Sequence, residues 1–334
     1  MQGYALKEAD YVEKTLTEDE IWAIFGGMFS GRAVHDTSYK YGFFKAVLDS
    51  IYNADDNLLL TFDQIFYKFT EIYWNLILKY HLRQKAVTKN GRETILEKIL
   101  KEAAAGQKAG INDICFEALS ADMKAEICHK VKIKCKENVV GALYGDSGGV
   151  LYSFSKKQEY IKLNPQAYAF MTKYKKILEK INYFEWAKFL EKVNDEATTR
   201  NLLNNLDTIT LRSDLSIYRR ILFEEFEEHK CFYCGKELKQ GKIHVDHFIP
   251  WSFIKDDNLW NLVLTCSACN LRKSDKLAPQ PYVDRLVARN GLILERKPDK
   301  LPAYKENKPK EIYYWARYNG YREVWVPERR VLQN

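Results

Sequence analysis

Cys231-Phe-Tyr-Cys234, His244-Val-Asp246-His247-Phe-Ile-Pro250, Asn261-Leu-Val-Leu264 and Cys266-Ser-Ala-Cys269-Asn270-Leu-Arg-Lys273 follow one another within a single short segment. The two Cys-x-x-Cys pairs are separated by 31 residues, the spacing of a four-thiolate tetrahedral zinc site that staples a small unit. Four protein ligands leave such a site no open position, so Cys231, Cys234, Cys266 and Cys269 are structural ligands and any chemistry lies elsewhere. Cys266 and Cys269 could also pair as a disulfide, which a reducing compartment disfavours. Inside the bracket lie Asp246-His247, Asn261 and Asn270, a polar set that a purely structural clip has no need of.

That arrangement resembles the HNH, or ββα-metal, nucleases. The stretch from Val245 to Asp275 is similar to the HNH domain of the RNA-guided type II CRISPR effectors, including Ser252-Phe-Ile-Lys-Asp-Asp257 and Lys273-Ser-Asp275. The resemblance covers about a seventh of the chain and implies a metal-dependent endonuclease; the alternatives are an RNase of the same type and a zinc-stapled nucleic-acid-binding module without activity, which has no chemical reason to keep all four polar residues. Phosphodiester hydrolysis needs an activated water, neutralisation of the developing charge and stabilisation of the leaving alkoxide. An imidazole can accept the water proton, so His247 suits the base; the Asp246 carboxylate is a hard ligand for Mg²⁺ or Mn²⁺. Adjacent strand residues point to opposite faces, so a bend near Pro250 or the metal itself must bring both into one site. The resemblance puts the ion between Asp246 and Asn270, the latter on a helix starting near Ser267, and makes Asn261 the residue that orients the His-bearing loop. Asn258 could serve in its place, and His244 reads as structural. Arg272, Lys273 and Lys276 are the expected nucleic-acid contacts, Lys273 one helical turn after Asn270.

Working outward, the chain of 334 residues is long enough for two or three domains, and 46% hydrophobic with 14% aromatic residues marks it as globular. The beginning of the sequence lacks a secretory apolar stretch, and no run of about 18 apolar residues suggests a membrane span. Metal-type cysteine spacing, with Cys115, Cys128 and Cys135 left over, points to the cytoplasm. Residues 1–230 carry 33 Lys+Arg and 33 Asp+Glu, whereas residues 231–334 carry 19 against 12, so the surplus of seven sits with the motif. A polyanionic partner is the natural reading: DNA, with RNA also open.

The fold class expected is α+β. Residues 1–130 read as helical, with a capping signal at Thr17-Glu-Asp-Glu20, a stop at Gly31, a break at Lys89-Asn-Gly91, and helices over Phe43–Tyr52, Thr61–Tyr80 and Glu93–Ala105. The aromatics Phe62, Phe66, Tyr67, Phe69, Tyr73 and Trp74 read as core. Residues 131–205 suggest a strand at Val131–Lys136, a hairpin of Val139–Tyr144 with Val150–Phe154 that belongs either to a winged-helix-like module or to an ordinary α+β domain, helices over Gln166–Lys180 and Tyr183–Val193, and a linker over Asn194–Asn205. Residues 206–280 comprise an entry helix from Ser213 and the zinc-stapled ββα-metal domain, and 281–334 a β-rich extension. No Gly-x-x-x-x-Gly-Lys loop occurs, so ATP-driven sensing would need a partner chain. A helical region fused to an HNH unit suits bacterial restriction or antiphage defence. Target sequence, trigger and oligomeric state are not legible.

Overall fold

The computed structural model describes residues 5–328 except 13, 31–35, 87–92, 106–115, 211–213, 240 and 303. The expectations at Gly31, at Lys89–Gly91, at Cys115 and at Ser213 lie outside the described residues. The chain divides into two compact units, Met1–Leu211 and Arg212–Asn334. Small antiparallel sheets accompany a majority of helix, so the class is α+β.

In the first unit the opening helices form where their caps dictate. Thr17 accepts from Glu20 N at 3.2 Å, and Glu20 returns a bond to Thr17 N, closing a capping box on α1 (Glu18–Met28). Strand β1 (Glu8–Ala9) precedes it. Helix α2 (Tyr39–Ser50) packs against α3 (Phe62–Trp74), which follows β2 (Leu59–Thr61) and has its own box at Thr61 and Gln64. Phe43, Phe62, Phe66, Phe69, Tyr73 and Trp74 have no exposed surface, so these aromatics are core as expected. Tyr67 is the exception, at 36% exposed. The helices approach closely because Gly42 has no side chain: a Cβ there would lie 2.3 Å from the Tyr73 ring.

Helix α4 (Ile95–Ala105) and α5 (Ala121–Asp146) follow. Here the structure corrects the expected strands. Val131–Lys136 and Val139–Tyr144 both lie inside α5, which runs through the boundary anticipated at 130. Val131, Ile133 and Cys135 alternate like a strand, but Ile133 is 42% exposed while Ile127, Val131, Cys135, Val139 and Leu143 are buried. Those five recur every fourth residue, and the helical period wins. Gly145-Asp-Ser-Gly-Gly149 therefore ends a helix, with Gly148 and Gly149 at positive φ.

A hairpin does exist one step later, β3 (Tyr152–Ser155) with β4 (Tyr160–Leu163), turning at Glu159 with φ 58°. It lies at the centre of a sheet ordered β1-β3-β4-β2, every pair antiparallel, and so is not a free wing. Helices α6 (Pro165–Lys173) and α7 (Lys175–Val193) follow, so two helices are present as expected but the break falls at Tyr174 and not after Lys180. The anticipated linker over 194–205 instead contains α8 (Glu196–Thr199) and most of α9 (Leu202–Asp207), which packs on α7 through buried Leu202 and Leu206. Between α2 and α7 four charges are sealed from solvent. Lys45 pairs with Asp49 on α2, Lys175 with Glu179 at 2.9 Å on α7, and Lys45 stands 3.7 Å from Glu179.

The second unit begins with α10 (Ser216–Arg220), continued by a wider π turn over Ile221–Glu225. Strand β5 (His244–His247) pairs antiparallel with β6 (Leu262–Thr265), joined through a loop that contains α11 (Trp251–Ile254). Helix α12 (Ser267–Lys273) completes the ββα core. The expected β-rich tail is helical instead: α13 (Gln280–Arg296) and α14 (Lys308–Tyr318) pack together, and residues 277 and 324 meet only as an isolated bridge. Tyr282, Val283, Leu286, Val287, Asn290 and Ile293 are buried at three- and four-residue spacing. Asn290-Gly291 is thus helix interior, while Asn319-Gly320 does end α14, with Gly320 at φ 100°. Three side chains of α13 bind backbone carbonyls of the core: Tyr282 to Tyr233, Arg289 to Leu262 and Asn290 to Trp260. Among the described residues no helix is long and apolar enough to cross a membrane.

One buried acid gives the first unit a pH dependence. Glu71 is 3% exposed, and burial pushes its carboxyl up to about 8, with Glu117 and Asp49 reinforcing the rise against Lys68 at 3.5 Å. The folded state therefore holds this proton more tightly than the unfolded chain, and stability falls as pH rises from about 4.5 through about 8. The Glu71→Gln variant, scanned by calorimetry, is expected to melt higher than wild type at pH 8. The two should converge at pH 5, and an equal difference at both pH values would remove Glu71 as the cause.

Candidate metal and catalytic centre

The two cysteine pairs converge. All four sulfurs of Cys231, Cys234, Cys266 and Cys269 lie within 4.8 Å of one another, and Cys234 Sγ is 3.8 Å from Cys266 Sγ. A tetrahedral zinc with bonds of about 2.3 Å has sulfur–sulfur edges of about 3.8 Å, so the residues fit that ion. Cys266 and Cys269 are both free thiols, not joined as a disulfide. Local backbone makes the convergence possible: Cys231 N donates to Lys236 O, Gly235 N to Cys231 O, and Gly235 takes φ 69° to close the first turn. Cys266 is the N-cap residue of α12, with Cys269 one turn later.

Zinc ligands on α12 place that helix, and α12 reaches the strand. Lys273 has no exposed surface; its ammonium donates to His247 O at 2.8 Å and lies 2.9 Å from Asp246 Oδ2. A side chain so engaged does not face a phosphate, which corrects the expectation for Lys273. Arg272 is paired with Glu328, and Lys276 with Glu323 at 3.1 Å, so neither of the other two nominated contacts is an unengaged cation. Asn270 stands one turn before Lys273 on α12 and is partly exposed.

Asp246 and His247 are 7% and 5% exposed. Asp246 Oδ2 also accepts from Tyr233 OH at 2.6 Å, and burial beside this carboxylate holds the Tyr233 phenol well above its ordinary range. His247 turns elsewhere: its Nε2 lies 2.6 Å from Asp257 Oδ1. Sequence reasoning missed Asp257. The visible signal was an acidic pair, Asp256-Asp257, ten residues after the histidine, but nothing in spacing distinguishes it from a solvated turn. The turn itself is built by Lys255 at φ 60°, and Tyr218 OH anchors it by donating to Asp257 O at 2.7 Å.

Asn261 is fully buried and clamps the chain just past the histidine. Its Oδ1 accepts from Ile249 N at 2.8 Å, its Nδ2 donates to Ile249 O at 2.9 Å, and its carbonyl accepts from Phe248 N. Asn258 instead donates to Asp256. His244 is exposed at the start of β5.

Residues 231–279 match the family model described as HNH endonuclease. The match is to an HNH domain and is confined to this segment of the second unit. No curated protein and no solved structure matches the chain.

The cluster predicts a metal content. Wild-type protein is expected to hold one zinc per chain by elemental analysis. Cys234→Ser and Cys269→Ser should lose it together with local structure, since structural zinc supplies on the order of 10 kcal/mol of folding free energy. Stoichiometric zinc in both variants would contradict the four-thiolate assignment.

Proposed function

We propose that this protein is a metal-dependent endonuclease that hydrolyses DNA phosphodiester bonds, with His247 as general base. The observation that carries the reading is the His247–Asp257 pair beside Asp246, within the segment that matches the HNH endonucleases. With Nε2–H donated to Asp257 Oδ1, the ring presents Nδ1 as its acceptor. That nitrogen takes a proton from water as the water oxygen bonds to phosphorus and the bond to one ester oxygen breaks. A divalent Mg²⁺ or Mn²⁺ held by Asp246 and Asn270 would supply charge neutralisation at the phosphate and leaving oxygens.

The remaining residues arrange these groups. Asn261 fixes the backbone at Ile249, two residues past the base, and Lys273 fixes the His247 carbonyl. Tyr233 and Lys273 both hold Asp246 through Oδ2, which fixes the orientation of the carboxylate. A helical unit joined to a nuclease unit supports a role in restriction or antiphage defence.

A plasmid-cleavage assay tests the chemistry. Brief EDTA treatment that spares the zinc should stop cleavage, and Mg²⁺ or Mn²⁺ alone should restore it. His247→Ala should lower the rate by about 10²–10⁴ with zinc content unchanged. Cleavage within threefold of wild type, or persisting in the chelator, would remove this mechanism.

Asp257 is a positioning residue in this reading. Asp257→Ala should lower kcat at least about tenfold while leaving KM within twofold, because it orients the base without touching substrate. Asp257→Glu should recover part of the loss. A change confined to KM would argue against the role.

A further inference from the structure

The basic side chains that motif position nominates for phosphate are engaged within the protein: Lys273 is buried, and Arg272 and Lys276 are ion-paired. A different basic surface lies on the helix that leads into the domain. Along Ser216–Glu225 the side chains of Ile221 and Leu222 are buried, and Tyr218 reaches the Asp257 carbonyl. Another side of the same helix borders an open groove of about 400 Å³, lined by Ile217, Arg219, Arg220, Phe223, Glu224 and, from the segment entering β5, Ile243.

Arg219 and Arg220 are both exposed. Among the described residues neither guanidinium forms an ion pair at hydrogen-bond distance; Asp214 and Glu225 interact with them through longer-range electrostatics alone. Glu224 is the single carboxylate in the lining, and Lys242 adjoins Ile243. Ile217 is 51% exposed, unusual for so large an apolar side chain beside two arginines. Guanidinium groups bind phosphate in a planar, bidentate manner, and an apolar floor suits sugar and base faces. The groove is also tied to the catalytic strand. Ile243 immediately precedes β5, four residues from His247. At about 3.3 Å per strand residue that is about 13 Å, and with about 3.4 Å of duplex axis per nucleotide it corresponds to about four nucleotides.

We infer that this groove binds the phosphodiester backbone of the nucleic acid flanking the cleaved bond, with Arg219 and Arg220 as the phosphate contacts. The inference rests on the nuclease reading and adds to it the surface that holds the substrate. Arg219 and Arg220 touch neither the dyad nor the metal residues, so the groove contributes to binding and the HNH centre to chemistry.

The experiment uses the full chain carrying His247→Ala, so that binding is read without cleavage, with and without Arg219→Gln/Arg220→Gln. Fluorescence anisotropy with a labelled DNA duplex and the matching RNA duplex, titrated with salt, gives affinity and counterion release. Expected is at least a tenfold loss of affinity for the nucleic acid that the enzyme cuts. The slope of log K against log salt should also shrink by about 1.8, since each phosphate contact on B-DNA contributes about 0.9. The Arg219→Lys/Arg220→Lys pair should keep most of that slope. An unaltered thermal transition and zinc content show that the variants fold, and Arg220→Glu alone gives a second, stronger reading. Unchanged affinity and slope on both nucleic acids would overturn the inference and leave the groove to a protein partner. If the groove variants in an otherwise wild-type chain still cut and bind normally, the groove assignment alone falls. Absence of any cleavage by wild type would instead strike at the nuclease reading.

Discussion

Bringing four cysteine sulfurs within 4.8 Å of one another fixes the position of α12, and through α12 nearly everything at the site. Two turns separated by the whole β5–β6 hairpin must close on one point. Once they do, Cys266 and Cys269 set where the helix starts, and its last residue, Lys273, is driven into the protein beneath the strand. There a single ammonium touches both the Asp246 carboxylate and the His247 carbonyl. A buried cation of this kind would be costly alone; the carboxylate and carbonyl compensate it, and Tyr233 completes the polar set. The staple and the chemistry are therefore mechanically one object, although no cysteine faces the reacting groups.

A second constraint acts on the loop between the strands. The segment after His247 has to leave the sheet, turn and come back, and three side chains discipline it: Asn261 on both polar groups of Ile249, Asp257 on the imidazole, and Tyr218 on the Asp257 carbonyl. The first holds the backbone and the second holds the ring, so the imidazole is restrained in translation and in rotation by different residues. Preorganisation of this sort avoids paying for reorientation in the transition state.

Much of the nuclease domain was legible because its ligand types recur at spacings that geometry demands. The Cys-x-x-Cys pairs, the Asp-His dipeptide and the two asparagines are local or nearly so, and β5, β6 and α12 fall where the motif put them. Lys273 was misread because a helical turn locates a side chain on a face without saying whether that face looks at solvent or at a strand. Asp257 went unseen because its role depends on a left-handed turn at Lys255, which no residue type announces. In the first unit the capping boxes and aromatic core were visible, whereas α5 was broken into strands. Its β-branched residues satisfy a two-residue period over six positions, and only the longer four-residue series from Ile127 to Leu143 decides the matter. The tail failed in the opposite way: its expected strands are helix, and at Asn290 a buried asparagine bonded to Trp260 keeps α13 running.

The sealed quartet of Lys45, Asp49, Lys175 and Glu179 has a consequence for how this protein can change over evolutionary time. Its charges cancel as a set, and each is nearly devoid of solvent. Neutralising any one of these residues unbalances charge in a dry interior, a loss that can match a large share of a domain's whole stability. Charge-neutralising drift at these four positions is thus closed to single steps. Lineages can cross only by paired exchanges, a swap of both members or their joint conversion to apolar residues, so the seam between α2 and α7 should diverge in correlated jumps while the surface around it wanders freely.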